Sequence, residues 1–169
     1  MKAIFALLAF TNAAWADCLD GEGTFLSCRI ADSENVLRVC FTATDTFYRF
    51  GPLGQTPDLE LMEPIASVDY QPWNGVGRSI SEAITFNTGP YSYLTYAGFE
   101  RMFGEEEYED IPHRSFGGVT VTKNDTEIAR LECDRSSVDF GWDVALFEAK
   151  QALGFVWDDR NREWVELPD

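Results

Sequence analysis

Short β-rich runs separated by turn residues fill most of the sequence, and this pattern constrains the fold more than any other feature. Thr24–Ile30 and Val36–Thr42 flank a polar turn at 31–35, and Ala83–Asn87 and Tyr91–Ala97 flank a Thr-Gly-Pro turn. Each pair has the turn chemistry and strand composition of a β-hairpin. The pattern therefore predicts antiparallel sheets built from strands that are neighbours in sequence.

Six other runs of the sequence are strand-like. They are Thr46–Phe50, Leu59–Met62, Ile65–Tyr70, Val119–Thr122, Glu127–Cys133 and Phe155–Trp157, the last followed by a charged tail at 158–163. Polar turns or Gly and Pro residues separate most of them, as expected for strands joined by tight connections.

One helical face stands out near the end of the chain. Trp142, Leu146, Ala149 and Leu153 recur at spacings of four, three and four residues. That spacing places them on one side of a helix, and Gly154 fits the position just after its end. Together with the strands it predicts a mainly β fold, an antiparallel β-sandwich or barrel of about 8–10 short strands with one C-terminal α-helix.

The first 16 residues have the pattern of an export signal. Lys2 precedes the apolar run Ala3–Phe10, and Ala14-Trp15-Ala16 matches a small-x-small cleavage site before Asp17. The alternative is a membrane anchor, but the apolar stretch is well short of the roughly 20 residues that span a bilayer. We predict a signal peptide at 1–16, cleaved between Ala16 and Asp17, and a single disulfide-stabilised β-rich domain at 17–169 that is periplasmic or secreted.

The charge of the chain excludes several classes of partner. Removing residues 1–16 leaves 153 of the 169, and 12 Lys and Arg then stand against 29 Asp and Glu, a net charge of −17. Nucleic acid binding needs a basic surface, and anionic membranes repel an acidic one. We therefore predict no nucleic acid partner. We also predict no transmembrane segment in the mature chain, because no window after residue 16 is apolar enough to span a bilayer, and no cofactor or metal.

Four cysteines remain after cleavage, which is typical of two disulfides in an oxidising compartment. Their spacing lacks any C-x-x-C pair, and the chain has one histidine, so a zinc site is disfavoured. Three connectivities exist for four cysteines. We predict Cys28–Cys40 across the first hairpin, which leaves Cys18–Cys133.

The layout of Thr24–Phe50 resembles small exported β-proteins of Gram-negative bacteria, among them the periplasmic lysozyme inhibitors. That resemblance implies an acidic, disulfide-bonded β-rich protein that binds a basic enzyme. The Ser-Gly-x-Lys-Tyr-like loop that such inhibitors insert into lysozyme is absent from this sequence. No residue role is therefore carried over.

The densest charge in the sequence is an acidic run. It comprises Glu105, Glu106, Glu107, Glu109 and Asp110. One interpretation is a cation site or a docking patch for a basic partner, although the run lacks the calcium-loop pattern. The other is a solvated loop that keeps the protein soluble.

The segment 72–78 combines a tryptophan, two glycines and an arginine. As a binding loop it would use Trp73 as an aromatic anchor, with Asn74 beside it and Arg78 as a carboxylate clamp. As a structural loop it would use Trp73 to close one end of the β-core, and Arg78 would pair with a nearby acid. The segment lacks the pattern of a phosphate-binding loop.

No catalytic constellation is evident in the sequence. His113 lies next to Pro112 and Arg114, without a nucleophile motif nearby. We predict a non-enzymatic, exported, acidic binding domain that engages a cationic protein or peptide, such as a lysozyme-like enzyme. The alternatives are an envelope polysaccharide hydrolase that uses paired carboxylates, and a purely structural envelope protein.

Overall fold

Two five-stranded antiparallel sheets form the body of the protein. A computed structural model describes residues 17–102, 112–142 and 145–167. The strands are β1 Gly23–Arg29, β2 Asn35–Phe41, β3 Asp45–Pro52, β4 Leu59–Pro64, β5 Asp69–Gln71, β6 Ser79–Thr88, β7 Tyr91–Glu100, β8 Arg114–Lys123, β9 Thr126–Glu132 and β10 Asp139–Phe140. The short 3₁₀ helix Arg135–Ser137, helix α1 (Ala145–Ala152) and the hairpin of β11 (Phe155–Asp158) and β12 (Glu163–Glu166) complete the described elements. The first sheet has the order β10-β1-β2-β3-β4 and the second β5-β6-β7-β8-β9.

The two sheets pack against each other through one continuous apolar core. Alternation along β2 places Leu37 and Val39 on the inner face, and Ile84 and Val119 occupy the inner face of the second sheet. The ring of Tyr48 crosses the interface to lie 5.7 Å from that of Phe86. The predicted mainly β fold with a C-terminal helix is confirmed, and the sandwich is the alternative observed.

The predicted disulfide pairing is wrong: Cys18 bonds to Cys40, and Cys28 bonds to Cys133. The register of the β1–β2 hairpin explains the difference. Cys28 lies opposite Leu37, an inner-face residue, whereas Cys40 lies opposite Thr24. Since Leu37 and Cys40 are three residues apart, they lie on opposite faces of β2. Cys28 therefore reaches the other sheet, and Cys40 reaches the N-terminal segment that covers the outer face.

Three other sequence predictions need correction. Ile65–Tyr70 is not one strand, because 65–68 form a turn in which the N–H groups of Ser67 and Val68 donate to Pro64 O. The charged tail 158–163 is part of the β11–β12 hairpin, in which Trp157 pairs with Trp164. Trp142 lies before α1 and belongs to an aromatic group with Phe99 and Phe140.

Lys150 is the side chain that holds the turn 65–68 to helix α1. It is only 2% exposed, and its ammonium group donates to the carbonyl oxygens of Ile65 and Val68 at 2.5 and 3.1 Å and to that of Ala66. Burial lowers the pKa of Lys150 to about 8, and the charge of Asp69 partly offsets the decrease.

This lowered pKa predicts a distinct pH dependence of stability. The pKa of Lys150 is about 8 in the folded protein against an ordinary 10.5, so the unfolded chain binds more protons between those values. The free energy of unfolding should therefore rise by up to about 3 kcal/mol from pH 8 to pH 10.5. Lys150→Met should lack this rise. Urea unfolding of both proteins across that range measures it, and parallel curves would contradict the assignment.

Candidate functional site

A polar pocket of about 250 Å³ lies on the outer face of the second sheet, and we call it the Trp73 pocket. It includes two of the sequence-predicted binding residues, Trp73 and Asn74. The lining residues come from β5, β6, β7, the loop after β5 and the β11–β12 turn; they are Gln71, Pro72, Trp73, Asn74, Val76, Ser79, Ser81, Glu82, Ala83, Tyr96 and Arg162.

Local backbone chemistry fixes the loop that forms one wall of the pocket. Gly75 and Gly77 have φ values of 78° and 99°, a region that other residues adopt at a cost. Between them, the N–H of Val76 donates to Asn74 Oδ1 at 3.1 Å. These interactions let the chain turn sharply from β5 into β6 and leave the side chain of Val76 74% exposed at the pocket mouth.

Trp73 joins the pocket to an aromatic group at one end of the sandwich. Its ring meets that of Trp142 edge-on at 5.9 Å, and the guanidinium of Arg101 lies 5.0 Å from its centroid. Its Nε1 is buried and makes no hydrogen bond with the described residues. Trp73 thus has features of both sequence interpretations, since it packs at an end of the core and also lines a pocket.

The other sequence-predicted site residues are placed differently. Arg78 does not line the Trp73 pocket; it lies at the base of the loop, where its carbonyl accepts a hydrogen bond from the N–H of Arg101. The acidic residues Glu105, Glu106, Glu107, Glu109 and Asp110 lie outside the described residues. The residues that flank this segment contact each other: the N–H of Met102 donates to Nδ1 of His113. The ring of His113 stacks on that of Phe99, with the ring centroids 5.0 Å apart.

Sequence reasoning missed the residues that strand pairing brings to the pocket. Ala83 on β6 lies opposite Gln71 on β5 and opposite Tyr96 on β7. These three positions are far apart in sequence and share no motif. The available signal is partial: Ser79 and Ser81 alternate with Ile80, but the next buried position is a glutamate and the next outer one an alanine.

Two tyrosines near the pocket are bonded to carboxylates. The hydroxyl of Tyr70 donates to Glu82 Oε1 at 2.9 Å on the inner side of β6. Burial raises the pKa of Tyr96 to about 12, and the hydrogen bond and charge of Glu132 contribute to the increase. Tyr96 therefore presents a neutral phenol at physiological pH.

A second charged cluster lies on the outer face of the first sheet. Arg49 donates through both terminal nitrogens to Glu22 at 2.7 and 2.8 Å, and through Nε to Glu60 at 2.7 Å. Burial would raise the pKa of Glu22, but the hydrogen bonds from Arg49 and from the N–H of Leu19 hold it below its usual range. A glycosidase general acid needs a raised pKa, so Glu22 does not fit that role.

One group of potential metal ligands occurs in the described residues. Sulfur and carboxylate atoms of Cys18, Glu22 and Cys40 lie within 4.8 Å of one another. Both sulfurs are joined in a disulfide, and the carboxylate is bound by Arg49. With the disulfide formed, neither cysteine has a thiolate that could bind a metal ion.

The fold and the site together define a disulfide-stabilised antiparallel β-sandwich with a polar pocket on one outer face. Comparison with known proteins finds no matching family model, no matching curated protein and no matching solved structure. Within the described ranges, no helix is both long and apolar enough to cross a membrane. Two disulfide bonds indicate an oxidising, extracytoplasmic environment.

Proposed function

We propose that the protein is a non-enzymatic binding domain of the periplasm or the extracellular medium that engages a cationic protein or peptide. Export by the signal peptide 1–16, with cleavage before Asp17, is part of this proposal. The disulfides Cys18–Cys40 and Cys28–Cys133 support such a compartment, because disulfides persist there.

The observation that carries the proposal is the distribution of charge between the core and the surface. Three of the 12 basic residues predicted for the mature chain, Arg38, Arg49 and Lys150, are buried. Among the acidic residues of the described ranges, Glu82 is buried, and the side chain of Glu22, which pairs with Arg49, is 8% exposed. Within those ranges the solvent-facing surface thus loses a quarter of its cations and a smaller share of its acids.

A surface of this kind attracts basic partners over a distance. Acidic fields steer cationic molecules, raise association rates and make binding sensitive to salt. A c-type lysozyme is a suitable probe, because it is a basic protein and the resemblance of Thr24–Phe50 implies such a partner. We expect binding at low ionic strength that weakens by about tenfold or more when salt is raised several-fold, since the Debye length then shortens.

Two matched variants test whether the acidic run is the docking patch. One replaces Glu105, Glu106 and Glu107 by Gln, and the other replaces the exposed residues Asp32, Asp58 and Asp125 by Asn. Both remove three negative charges. Biolayer interferometry against the lysozyme should show the larger loss of affinity for the first variant.

Three outcomes would decide against parts of this proposal. Equal losses for the two variants would assign the attraction to net charge and remove the patch. Binding that does not change with salt would contradict the electrostatic basis. Absence of binding to both the lysozyme and polylysine at low salt would overturn the function itself.

A further inference from the structure

We propose that the Trp73 pocket binds one ring of a neutral saccharide. This goes beyond the proposed function, because the pocket and the acidic surface are separate features and either could exist alone. The inference rests on how the pocket is built, on its charge, and on the hydrogen-bonding groups that line it.

The floor of the pocket is a rigid sheet surface. Side chains alternate along a strand, so Ser79, Ser81 and Ala83 share the outer face of β6, opposite the buried Ile80 and Ile84. Tyr96 on β7 continues this floor as the cross-strand neighbour of Ala83. Sites on sheets hold their groups more precisely than sites on loops, because the backbone is fixed by hydrogen bonds on both sides.

The charges around the pocket disfavour ionic ligands. Glu82 is the acidic lining residue, and its carboxylate is bound by the Tyr70 hydroxyl in the core. A cationic ligand would meet Arg162 on the wall. An anionic ligand would have to approach a chain with a net charge of −16. A neutral ligand avoids both penalties.

The uncharged groups of the pocket match a sugar ring. Two serine hydroxyls and the carboxamides of Gln71 and Asn74 can donate to or accept from ring hydroxyls. Tyr96 lines the floor, and its own hydroxyl is bonded to Glu132. The indole of Trp73 offers an apolar surface for the C–H face of a ring. The volume of about 250 Å³ lies below that of pockets for drug-sized molecules, roughly 300–1,000 Å³, and suits a single ring.

The experiment is an NMR titration of the disulfide-bonded protein with defined probes. The neutral probes are glucose, N-acetylglucosamine and their trimers, and the charged probes are spermidine and glucuronate. We expect a neutral probe to shift the amide signals of Ser79–Ala83 and Tyr96 saturably. The Kd should be about 1–10 mM, because a single, partly buried ring makes few contacts. The charged probes should leave these signals unchanged.

Two variants and a matched control locate the binding. Ala83→Leu places a larger side chain on the pocket floor and should weaken binding at least tenfold. Ser81→Ala removes one hydroxyl and should weaken it by several-fold with little effect on the fold. Thr85→Leu, on the same face of β6 but outside the pocket, is the control and should bind like the wild type.

Any of three results would overturn the inference. The first is a lack of saturable shifts with all four neutral probes at concentrations well above the expected Kd. The second is that spermidine or glucuronate shifts the pocket amides instead. The third is that a neutral probe binds equally to wild type, Ala83→Leu and Ser81→Ala, which would place it elsewhere on the protein. None of these results bears on binding of the basic partner.

Discussion

Replacing both Cys28 and Cys133 by alanine should lower the free energy of unfolding by about 4–5 kcal/mol. The bond joins residues 105 positions apart, from β1 in the first sheet to the end of β9 in the second. Without it, the unfolded chain gains the entropy of a long open loop. Both cysteines are also almost completely buried, so the variant loses core contacts as well. Urea unfolding followed by tryptophan fluorescence measures the change.

The second disulfide is the matched control for this prediction. Cys18 and Cys40 are 22 positions apart, and the same loop-entropy relation gives a smaller loss of about 3.4 kcal/mol for the Cys18→Ala, Cys40→Ala variant. The long-loop variant should therefore be less stable than the short-loop variant by about 1.4 kcal/mol. The reverse order, or peptide mapping that links Cys28 to Cys40, would contradict the pairing.

The disulfide pairing shows which part of the fold local sequence could and could not predict. The runs around Cys28 and Cys40 were recognised as a hairpin, because turn residues and β-branched runs are local signals. Whether two cysteines face each other depends on register, and a shift of one residue moves a side chain to the opposite face. The β1–β2 pair contains a bulge between Thr24 and Leu26 that no local pattern marked.

The turn at 65–68 is a second case in which a distant residue decides the structure. Ile65 and Val68 are apolar and fully buried, and a run of this composition is typical of a strand. The carbonyls of this segment are instead satisfied by Lys150, 85 residues away from Ile65. Buried backbone groups need partners, and a lysine from a helix can supply them in place of a neighbouring strand.

Part of the candidate site can be predicted from the sequence, because some of its residues are neighbours in the chain. Trp73 and Asn74 stand out because they lie in a short loop of unusual composition, and both line the pocket. Tyr96 and Arg162 join them only through strand pairing and through the β11–β12 turn, which are long-range relationships. A single sequence therefore predicts the loop of such a site but not the residues of its floor and its far wall.

The second large effect is expected at Arg49. The Arg49→Met variant should lose about 3–5 kcal/mol of stability, because it leaves the carboxylate of Glu22 without its partner in a buried position. The side chain of Glu22 is 8% exposed and accepts two hydrogen bonds from Arg49. Combining Arg49→Met with Glu22→Gln removes both charges and should recover much of that loss.

The Glu60→Gln variant is the control for this prediction. Glu60 is 54% exposed, so its bond to Arg49 should contribute less than about 1 kcal/mol to the free energy of unfolding.

The pH dependence of the Arg49→Met variant separates lost charge pairing from lost packing. In the wild type the pKa of Glu22 lies below its ordinary 4.5, so the stability it contributes is complete above that pH and is lost as the pH falls through the lower folded value. Arg49→Met removes the hydrogen bonds that lower this pKa, and the stability gap between the two proteins should therefore shrink below pH 4.5. Urea unfolding at pH 7 and at pH 3.5 or below measures the gap. A gap of equal size at both values would assign the loss to the packing of the Arg49 stem over Phe47, whose ring centroid lies 4.7 Å from the guanidinium.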